Sequence, residues 1–556
     1  MLRTWFVFPT RGGRDAILAV TAYTVLTIAV FWPLLKGLST VGIPGDALGN
    51  IWALHWVSTH LTTPARLFDA NIYYPQPQSL SATESLLAQS FFAAPLLSSG
   101  ASPLEAYNVV WLLTYPLSGL GAYLLARHVS GSPAGAFLSG LAYAFSCYRL
   151  ESAVHIQTLS IQWLPFALLF LLRSLESPTF ANLLGMGVAV LLQALSSGYY
   201  AALLAPFLAV TLLVHLRTAP PKALCLVTLT LALVAIVAAP AFLPYLRAQQ
   251  ALGLARKRQE LIGLSALWVS YLRPSAHGAF PTFGPLRRLF HEGPAYFPGT
   301  AVLILSAAAL TLRRRPVALF VALAATGVLL SLGPQIAVGP FSVPGPYELL
   351  RTLPGYRLLR TPYRMAPIAL LSLCVLAALG WASLAERFRS FRFWGWAFIA
   401  LAACEGGVVR ASTMFQTMPA PSNATRWLAA AARGPVLEIP WSAYDGDYIY
   451  QSIVHGQTMV NGWGAFAPPS SIRIGMIGVR WPGGWASRAL RGAGIRYVVV
   501  HMGRLEARQR ERILAATSLP EGVALAAELG SERIYTLTPN GPTAPLPGDE
   551  AQVAAP

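Results

Sequence analysis

Long apolar runs recur along the first 410 residues of the 556-residue sequence, and short clusters of arginine separate many of them. A run of about 20 apolar residues can cross the hydrocarbon core of a bilayer as a helix. We therefore expect a mainly α fold, that of a polytopic helical membrane protein. Hydropathy indicates about eleven spans, at 17–35, 106–125, 133–148, 158–172, 180–195, 199–216, 223–243, 299–312, 317–332, 365–384 and 393–409.

The overall composition agrees with a membrane protein. Hydrophobic residues make up 55% of the chain and charged residues 11%, whereas soluble domains carry about 25% charged residues. The formal net charge is +18. It does not indicate nucleic-acid binding, because many arginines stand between apolar runs and the aromatic residues belong to the spans and their interfaces.

The arginines also predict the orientation of the spans. With eleven spans, the arginines before the first span share one side with most later arginine clusters, and the positive-inside rule assigns that side to the cytoplasm. The protein is then a multi-pass cell (inner) membrane protein with a cytoplasmic N-terminus and an extracytoplasmic C-terminus. The arginines and the lysine used for this prediction are Arg3, Arg11, Arg14, Arg127, Arg173, Arg217, Lys222, Arg313 to Arg315, Arg387, Arg389 and Arg392.

Three regions follow from this topology. A transmembrane domain occupies residues 1–410 and includes a large first outer loop at 36–105. Charges become more frequent after it, and the apolar runs at 434–441 and 495–502 have the length of buried strands. Together with a helix predicted at 504–516, they indicate a small extracytoplasmic α/β domain at 411–540. Residues 541–556 have the composition of a disordered tail.

Asp46 is an acidic residue for which the sequence allows two roles. It follows Pro44-Gly45 directly after the first span and precedes a helix-like stretch from Asn50 to Leu61. One interpretation makes Asp46 the N-cap of that helix. The other makes it a general base at the membrane–water boundary, where partial desolvation makes a carboxylate more basic.

Several stretches resemble bacterial polytopic glycosyltransferases of the GT-C superfamily, in particular uncharacterised membrane proteins with a C-terminal extracytoplasmic domain. They are LFDANIYYPQPQSL (67–80), AYNVVWLL (106–113), FSCYRLESAVHIQTLSIQWLPFALL (145–169), LPGYRLLRTPYRMAP (353–367) and YIYQSIVHGQTMVNGWGAFAP (448–468). The resemblance implies a sugar donor on a polyprenyl phosphate, with Asp46 taking the proton of the acceptor hydroxyl. It also implies a second acidic residue, which Asp69, Glu84 or Glu151 could supply.

Outer-side cations are the candidates for holding the donor phosphate, because arginines there run against the positive-inside bias. They are Arg256 and Arg258, in the cluster Arg256-Lys257-Arg258, and Arg357, Arg360 and Arg364, in a set that also includes Arg351. Arg360 and Arg364 are four residues apart and would share a helix face if the helix begins there, with Pro362 in its first turn. Binding of ordinary anionic headgroups is the alternative role for these arginines.

Glu151 and His155 are also four residues apart and would lie together on a helix. Such a pair could bind a metal ion or the sugar, or form a local hydrogen bond. The sequence leaves metal dependence open, with Mg²⁺ or Mn²⁺ as the candidate ion and no cofactor certain. In the tail, Asp445, Asp447 and His455 stand among Tyr444, Tyr448 and Trp463, a composition suited either to sugars or to ordinary loop packing.

The sequence therefore favours an inverting membrane glycosyltransferase that works on the extracytoplasmic face. Its partners would be a polyprenyl-phosphate-linked sugar, a glycan, lipid or protein acceptor, and membrane lipids, but no nucleic acid. The main alternative is a non-catalytic protein of the same fold that binds lipid-linked glycan or acts as a scaffold. A transporter is less well supported, since the acidic residues cluster in loops and not within spans.

Overall fold

A computed structural model of the chain describes residues 10–275, 293–312, 315–353, 355–405, 414–442, 444–516 and 518–538. Arg3, Arg313, Arg314, the predicted boundary at 411 and the predicted tail at 541–556 lie outside these residues. The chain divides into two compact units. The first comprises Met1–Ile43, Leu86–Phe92 and Leu104–Gln416, and the second comprises Pro44–Ser85, Ala93–Pro103 and Thr417–Pro556.

The first unit is built from helices, and each of the eleven predicted runs contains one. Its helices are Thr10–Val30, Trp32–Leu35, Pro103–Ser130, Pro133–Ala144, Cys147–Glu151, Ile156–Leu159, Trp163–Glu176, Phe180–Ser196, Gly198–His215, Pro221–Leu252, Arg258–Gly263, Thr300–Leu310, Arg315–Ser331, Tyr347–Leu350, Ala366–Arg387 and Phe391–Glu405. Leu87–Ser98 is helical across the boundary between the units.

Six stretches of described helix are long and apolar enough to cross a membrane. They are Gly13–Val30, Pro103–Ser130, Ile156–Glu176, Gly198–His215, Pro221–Leu252 and Pro362–Arg387. Only 17% of an 18-residue window within Pro221–Leu252 is buried, and this helix exposes apolar side chains such as Leu229, Leu233 and Ile236. Such a long apolar surface is stable in lipid and unfavourable in water. The fold is therefore that of a helical membrane protein.

Pro362–Arg387 lies at the centre of the first unit, and 78% of an 18-residue window within it is buried. Within it, Ala366–Arg387 packs against Thr300–Leu310, Arg315–Ser331 and Pro133–Ala144. Glycines permit the closest approaches: a Cβ added at Gly380 would lie 1.8 Å from the backbone oxygen of Leu305, and one at Gly327 would lie 2.4 Å from the nitrogen of Ala369. Small residues at helix crossings are the usual way for membrane helices to pack closely.

Nine strands occur in the described residues: β1 Val41–Gly42, β2 Gln335–Val338, β3 Phe341–Pro344, β4 Gln416–Thr417, β5 Pro435–Ile439, β6 Thr458–Met459, β7 Tyr497–His501, β8 Val523–Leu529 and β9 Glu532–Leu537. In the first unit, β2 and β3 form an antiparallel hairpin. The second unit contains a five-stranded sheet in the order β6-β5-β7-β9-β8, in which β5 is parallel to β6 and β7, and β9 is antiparallel to β7 and β8.

Helices of the second unit are Asp46–His60, Asn423–Ala430, Gly446–His455, Pro469–Gly478, Gly484–Gly492 and Ala507–Ala515. The two predicted strands are confirmed as β5 and β7, and the helix predicted at 504–516 is Ala507–Ala515. The apolar core includes Leu437, Ile474, Trp481, Val498 and Tyr535. Along β5 and β7 the core positions, such as Leu437 and Ile439 or Val498 and Val500, alternate with residues on the other face of the sheet, as a pleated strand requires.

Backbone hydrogen bonds join the first loop to the C-terminal segment within the second unit. The nitrogen of Tyr74 donates to the oxygen of Met459 at 2.8 Å, and the nitrogen of Met459 donates to the oxygen of Asn71 at 2.9 Å. Farther along, the nitrogen of Ala465 donates to the oxygen of Ala82 at 2.6 Å. Two segments almost 400 residues apart in sequence thus form one compact structure.

Candidate functional site

Asp46 is the first residue of the helix Asp46–His60, and Gly45 is its N-cap. The alternative prediction that Asp46 itself caps this helix is therefore wrong by one residue. Gly45 has φ +78°, a conformation that glycine adopts without strain. The turn leaves the Asp46 side chain exposed at the helix N-terminus, where the free amide groups of the first turn favour a negative charge.

Trp463 lies against the first turns of this helix. Its indole nitrogen donates to Oδ1 of Asp46 at 3.4 Å. The ring fits there because residue 49 is glycine: an added Cβ would lie 2.2 Å from a carbon of the indole. The sequence GDALGN therefore supplies Gly45 for the turn, Asp46 for the charge and Gly49 for the close approach of Trp463.

The other two acidic candidates of the first loop lie in the same unit as Asp46. Asp69 is exposed, and its Oδ1 accepts a hydrogen bond from the backbone nitrogen of Gln78 at 2.9 Å. Glu84 is half-buried, between the 3₁₀-helix Ser79–Ala82 and the helix that begins at Leu87. Asp69 thus has a structural role in shaping the loop.

The predicted cations of the first unit are joined through two glutamates and a backbone contact. Glu260 Oε1 lies 2.9 Å from Nε of Arg360 and 3.3 Å from a guanidinium nitrogen of Arg256. Arg256 also donates its backbone nitrogen to the oxygen of Arg357 at 3.1 Å. Glu348 accepts from Arg351 at 2.7 Å and lies 3.6 Å from Arg258. The structure therefore brings together Arg256, Arg357 and Arg360.

Arg364 is held differently, by an aromatic ring. Its guanidinium carbon lies 4.2 Å from the centre of the Tyr199 ring, a cation–π geometry. The Tyr199 hydroxyl accepts from the backbone nitrogen of Arg360 at 3.1 Å. Within the described part of the chain, the buried Nε of Arg364 has no hydrogen-bond partner.

The predicted common helix of Arg360 and Arg364 is not formed. Pro362 does begin a helical turn, as predicted, but that turn is the 3₁₀-helix Pro362–Met365, and the α-helix starts at Ala366. Arg360 lies before both. Arg360 and Arg364 both contact Tyr199, and they do not share a helix face.

This part of the first unit carries a clear excess of positive charge. The segments 256–260 and 347–364 hold seven basic residues (Arg256, Lys257, Arg258, Arg351, Arg357, Arg360 and Arg364) and two acidic ones (Glu260 and Glu348), a balance of +5. We call these nine residues the cationic cluster. The two glutamates offset only part of its charge, so the cluster suits an anionic group such as a phosphate.

Glu151 and His155 also lie in the first unit, but not on one helix. The helix Cys147–Glu151 ends at Glu151, and His155 is the N-cap of the separate helix Ile156–Leu159. Glu151 accepts a hydrogen bond from the hydroxyl of Ser275 at 2.7 Å. The helical relation predicted for this pair is therefore wrong.

The aromatic tail residues have separate environments. Asp445 caps the helix Gly446–His455 by accepting from the nitrogen of Tyr448 at 3.3 Å, and burial raises its pKa to about 6. His455 is buried, and this burial lowers its pKa to about 4. Asp447 pairs with Arg504 at 3.1 Å. Of the tail residues singled out in the sequence, Asp447 and Tyr448 line one cavity.

That cavity contains three residues that the sequence did not reveal: Glu438, His501 and Glu532. They lie on β5, β7 and β9, which are neighbours in the sheet. His501 is directly opposite Glu532 in the antiparallel pairing. An acidic residue within an otherwise apolar run, as in VLEI at 436–439, is the one local signal that could have pointed to this cluster.

Metal ligands do not converge in the described part of the chain, where no group of three His, Cys, Asp or Glu side chains is placed to hold an ion. The dependence on Mg²⁺ or Mn²⁺ stays open.

No protein-family model and no curated protein matches the sequence. Solved structures do match: the arabinofuranosyltransferase AftD from Mycobacteria has a TM-score of 0.61 and 17% identity over 95% of this chain and 40% of that chain. The archaeal oligosaccharyltransferase AglB from Archaeoglobus fulgidus has a TM-score of 0.54 and 13% identity over 88% of this chain and 69% of that one.

A third match, ArnT from Cupriavidus metallidurans, has a TM-score of 0.51 and 14% identity over 93% of this chain and 98% of that chain. This protein has a GT-C-like fold, which it shares with these three structures. At these identities the likeness concerns the fold alone. The chain spans about two fifths of the length of AftD. The GT-C-like fold nevertheless confirms the resemblance expected from the sequence and makes Asp46 and the cationic cluster the residues to test.

Proposed function

We propose that this protein transfers a sugar from a polyprenyl-phosphate donor to an acceptor hydroxyl on the extracytoplasmic side of the cell membrane, with inversion at the anomeric carbon. The observation that carries the proposal is the cationic cluster, with its +5 balance, in a chain of GT-C-like fold. A lipid phosphate is an anion presented at a membrane surface. Arginine guanidinium groups match its geometry better than any other side chain.

The fold neighbours give this donor class independent support. The AglB structure was determined in complex with dolichol-phosphate and an inhibitory peptide, and AftD is an arabinofuranosyltransferase.

In the proposed reaction, Asp46 removes the proton from the acceptor hydroxyl. The hydroxyl oxygen forms a bond to the anomeric carbon as the bond from that carbon to the phosphate oxygen breaks. The phosphate leaves with the electron pair of the broken bond and needs no proton. Guanidinium groups are suited to stabilise its growing negative charge. A single displacement of this kind inverts the anomeric configuration.

The exchange of Asp46 for asparagine tests this role. Asp46→Asn keeps the shape of the side chain and its ability to accept from Trp463, but an amide cannot take up a proton. We expect transfer of radiolabel from polyprenyl-phosphate sugars to endogenous acceptors, in membranes of the cells that make the protein, to fall by about 10²–10⁴-fold. Glu511→Gln, an exposed charge change on the helix Ala507–Ala515, is the control. Equal transfer by Asp46→Asn and the control would remove Asp46 from the mechanism.

A binding protein without catalytic activity is the second candidate. It is favoured by the contacts of Asp69 and Glu151, since both carboxylates already accept hydrogen bonds from other groups of the protein. Such a protein would retain polyprenyl phosphate yet transfer no sugar in the wild-type form. Binding of the lipid without any turnover, across a panel of sugar donors, would therefore favour this alternative.

A further inference from the structure

The second unit contains a polar cavity of about 210 Å³ that Asp46 does not line. Its walls include Glu438, Asp447, Tyr448, His501, Arg504 and Glu532. Pockets for drug-sized ligands enclose roughly 300–1,000 Å³, so this cavity is suited to a single small group.

Three charged residues of the cavity wall contact one another. The Nε2 atom of His501 is hydrogen-bonded to Glu438, and its Nδ1 atom lies 3.2 Å from Glu532. Both ring nitrogens face carboxylates, so both carry protons and His501 is positively charged. The Glu532 carboxylate also accepts from the backbone nitrogen of Ala424 at 2.8 Å. These contacts fix the polar groups in place before any ligand arrives.

The same contacts exclude two classes of ligand. A metal ion bound through histidine needs an unprotonated ring nitrogen, and neither nitrogen of His501 is available. In the described part of the chain, no three His, Cys, Asp or Glu side chains are placed to hold an ion. A phosphate or another anion would meet three carboxylates, those of Glu438, Asp447 and Glu532. Only two cations, His501 and Arg504, oppose them. The net charge of −1 favours a neutral or a cationic ligand.

Tyr448 places a buried hydroxyl beside the Arg504 side chain. Tyr448 is 3% exposed, and Arg504 interacts with its hydroxyl at a geometry too poor for a full hydrogen bond. The ring stacks on that of His501 at 4.8 Å, and the Arg504 guanidinium lies 5.1 Å from the ring centre. Because protein groups already cover the ring, a ligand would be held by the hydroxyl and not by stacking. A buried hydroxyl with a poorly aligned partner is costly, and a ligand with its own hydroxyl groups would remove that cost.

We infer that this cavity binds one non-acidic sugar unit, through hydrogen bonds to the Tyr448 hydroxyl and to the carboxylates and the guanidinium group of its wall. Sugars carry donors and acceptors on every side, and a wall that mixes carboxylates, a guanidinium group and a phenol matches them. The inference does not depend on whether Asp46 is a catalytic base.

Saturation-transfer NMR on the full chain in lipid nanodiscs tests the inference, with empty nanodiscs as background. The probes are methyl glycosides of a neutral hexose, a neutral pentofuranose, a 2-amino-hexose and a hexuronic acid. We expect saturation transfer to at least one of the neutral or amino glycosides and none to the uronic acid. Tyr448→Phe keeps the ring and removes the hydroxyl, and it should weaken binding by about threefold to tenfold.

Two further variants separate binding from folding. Tyr448→Phe should melt at the same temperature as the wild type, or higher, because it removes a buried hydroxyl that has no well-aligned partner. Glu528→Gln changes one charge on the same sheet, where Glu528 pairs with Arg533 away from the cavity, and should bind the glycosides normally. Binding of no glycoside, equal binding of the uronic acid, or unchanged affinity in Tyr448→Phe would each overturn the inference. Asp46→Asn should bind the glycosides like the wild type, so a failure of the proposed catalysis would not be mistaken for a failure of this site.

Discussion

His501 has a charge that depends on its neighbours. Burial of the ring opposes its protonation, but the carboxylates of Glu438 and Glu532 outweigh this effect and raise the pKa to about 9. The ordinary histidine pKa is about 6.5. The folded state therefore binds a proton that the unfolded state releases between these two values. The contribution of His501 to stability is complete below about pH 6.5 and is lost as the pH rises to about 9.

Because folding raises the pKa of His501, we predict that the second unit loses stability as the pH rises from about 6.5 to 9. Asp445 and His455 titrate below this window, because burial raises the pKa of Asp445 to about 6 and lowers that of His455 to about 4. Tyr448 and Arg504 also face His501, but burial keeps the pKa of Tyr448 above the window and Arg504 stays charged. Hydrogen exchange of the β7 amides, corrected for intrinsic rates, measures the effect.

His501→Gln is the matched variant for this prediction. It should destabilise the unit by about 3 kcal/mol at pH 6, because two partly buried carboxylates lose their cation. It should also abolish the pH dependence across the window. A wild-type protein whose β7 amides are equally protected at pH 6.5 and pH 9 would contradict the assigned charge.

At the same scale, sequence reasoning identified residues with a distinctive local setting and missed those assembled over distance. Asp46 could be singled out because Gly45 and the adjacent span mark it within a few residues. Glu438, His501 and Glu532 could not be singled out, because they are 63 and 31 positions apart and meet only through the order of β5, β7 and β9. Nothing in hydropathy specifies that order.

At the scale of elements, the predicted helices are all present, but the places where they break were not foreseen. Apolar runs specify which stretches are helical, since burial and lipid contact both favour them. The break after Glu151 and the delayed start at Ala366 depend on a few turns and on Pro362. Side-chain pairs predicted from a spacing of four residues were wrong at both places, because the spacing matters only inside one continuous helix.

Close packing around the helix Ala366–Arg387 gives a second prediction. Gly380→Ala places a methyl group against the backbone of Leu305, which cannot move without shifting the helix Thr300–Leu310. Overpacking of this kind costs about 1–3 kcal/mol. The melting temperature of the detergent-solubilised protein should fall by several degrees.

Gly263→Ala is the control for that change. Gly263 ends the helix Arg258–Gly263, and no atom lies within 4 Å of a Cβ added there. This substitution should leave the melting temperature unchanged or raise it slightly, since alanine restricts the unfolded chain. Equal melting temperatures for the two variants would show that the glycine contact at Leu305 is not a tight one.

At the scale of the whole molecule, the basic residues behind the net charge of +18 fall into two groups. Arginines between the spans follow the positive-inside pattern and predict orientation. The cationic cluster of the first unit lies in loops that the same topology assigns to the outer side, where this bias cannot explain it. Its charge is therefore the feature of the whole chain that points to an anionic ligand.

Polyprenyl phosphate is the anionic lipid that the cationic cluster would bind. Arg364→Gln should weaken the binding of polyprenyl phosphate to the protein in nanodiscs, measured by native mass spectrometry, by about 10- to 100-fold, because one charge-assisted hydrogen bond contributes about 1.5–3 kcal/mol. Arg360→Gln should weaken it less, since Glu260 already offsets part of that charge. Arg364→Lys should restore only part of the affinity, because an ammonium group lacks the planar fork of the guanidinium.

Arg217→Gln, an exposed charge change in the turn after the helix Gly198–His215, should bind the lipid like the wild type. Higher salt should weaken wild-type binding and affect Arg364→Gln less, since the screened charge is already gone. The same loss of affinity in Arg217→Gln and Arg364→Gln would indicate a diffuse attraction of anionic lipid to a basic protein. A loss confined to the cationic cluster would instead indicate a specific phosphate site, as the proposed glycosyl transfer requires.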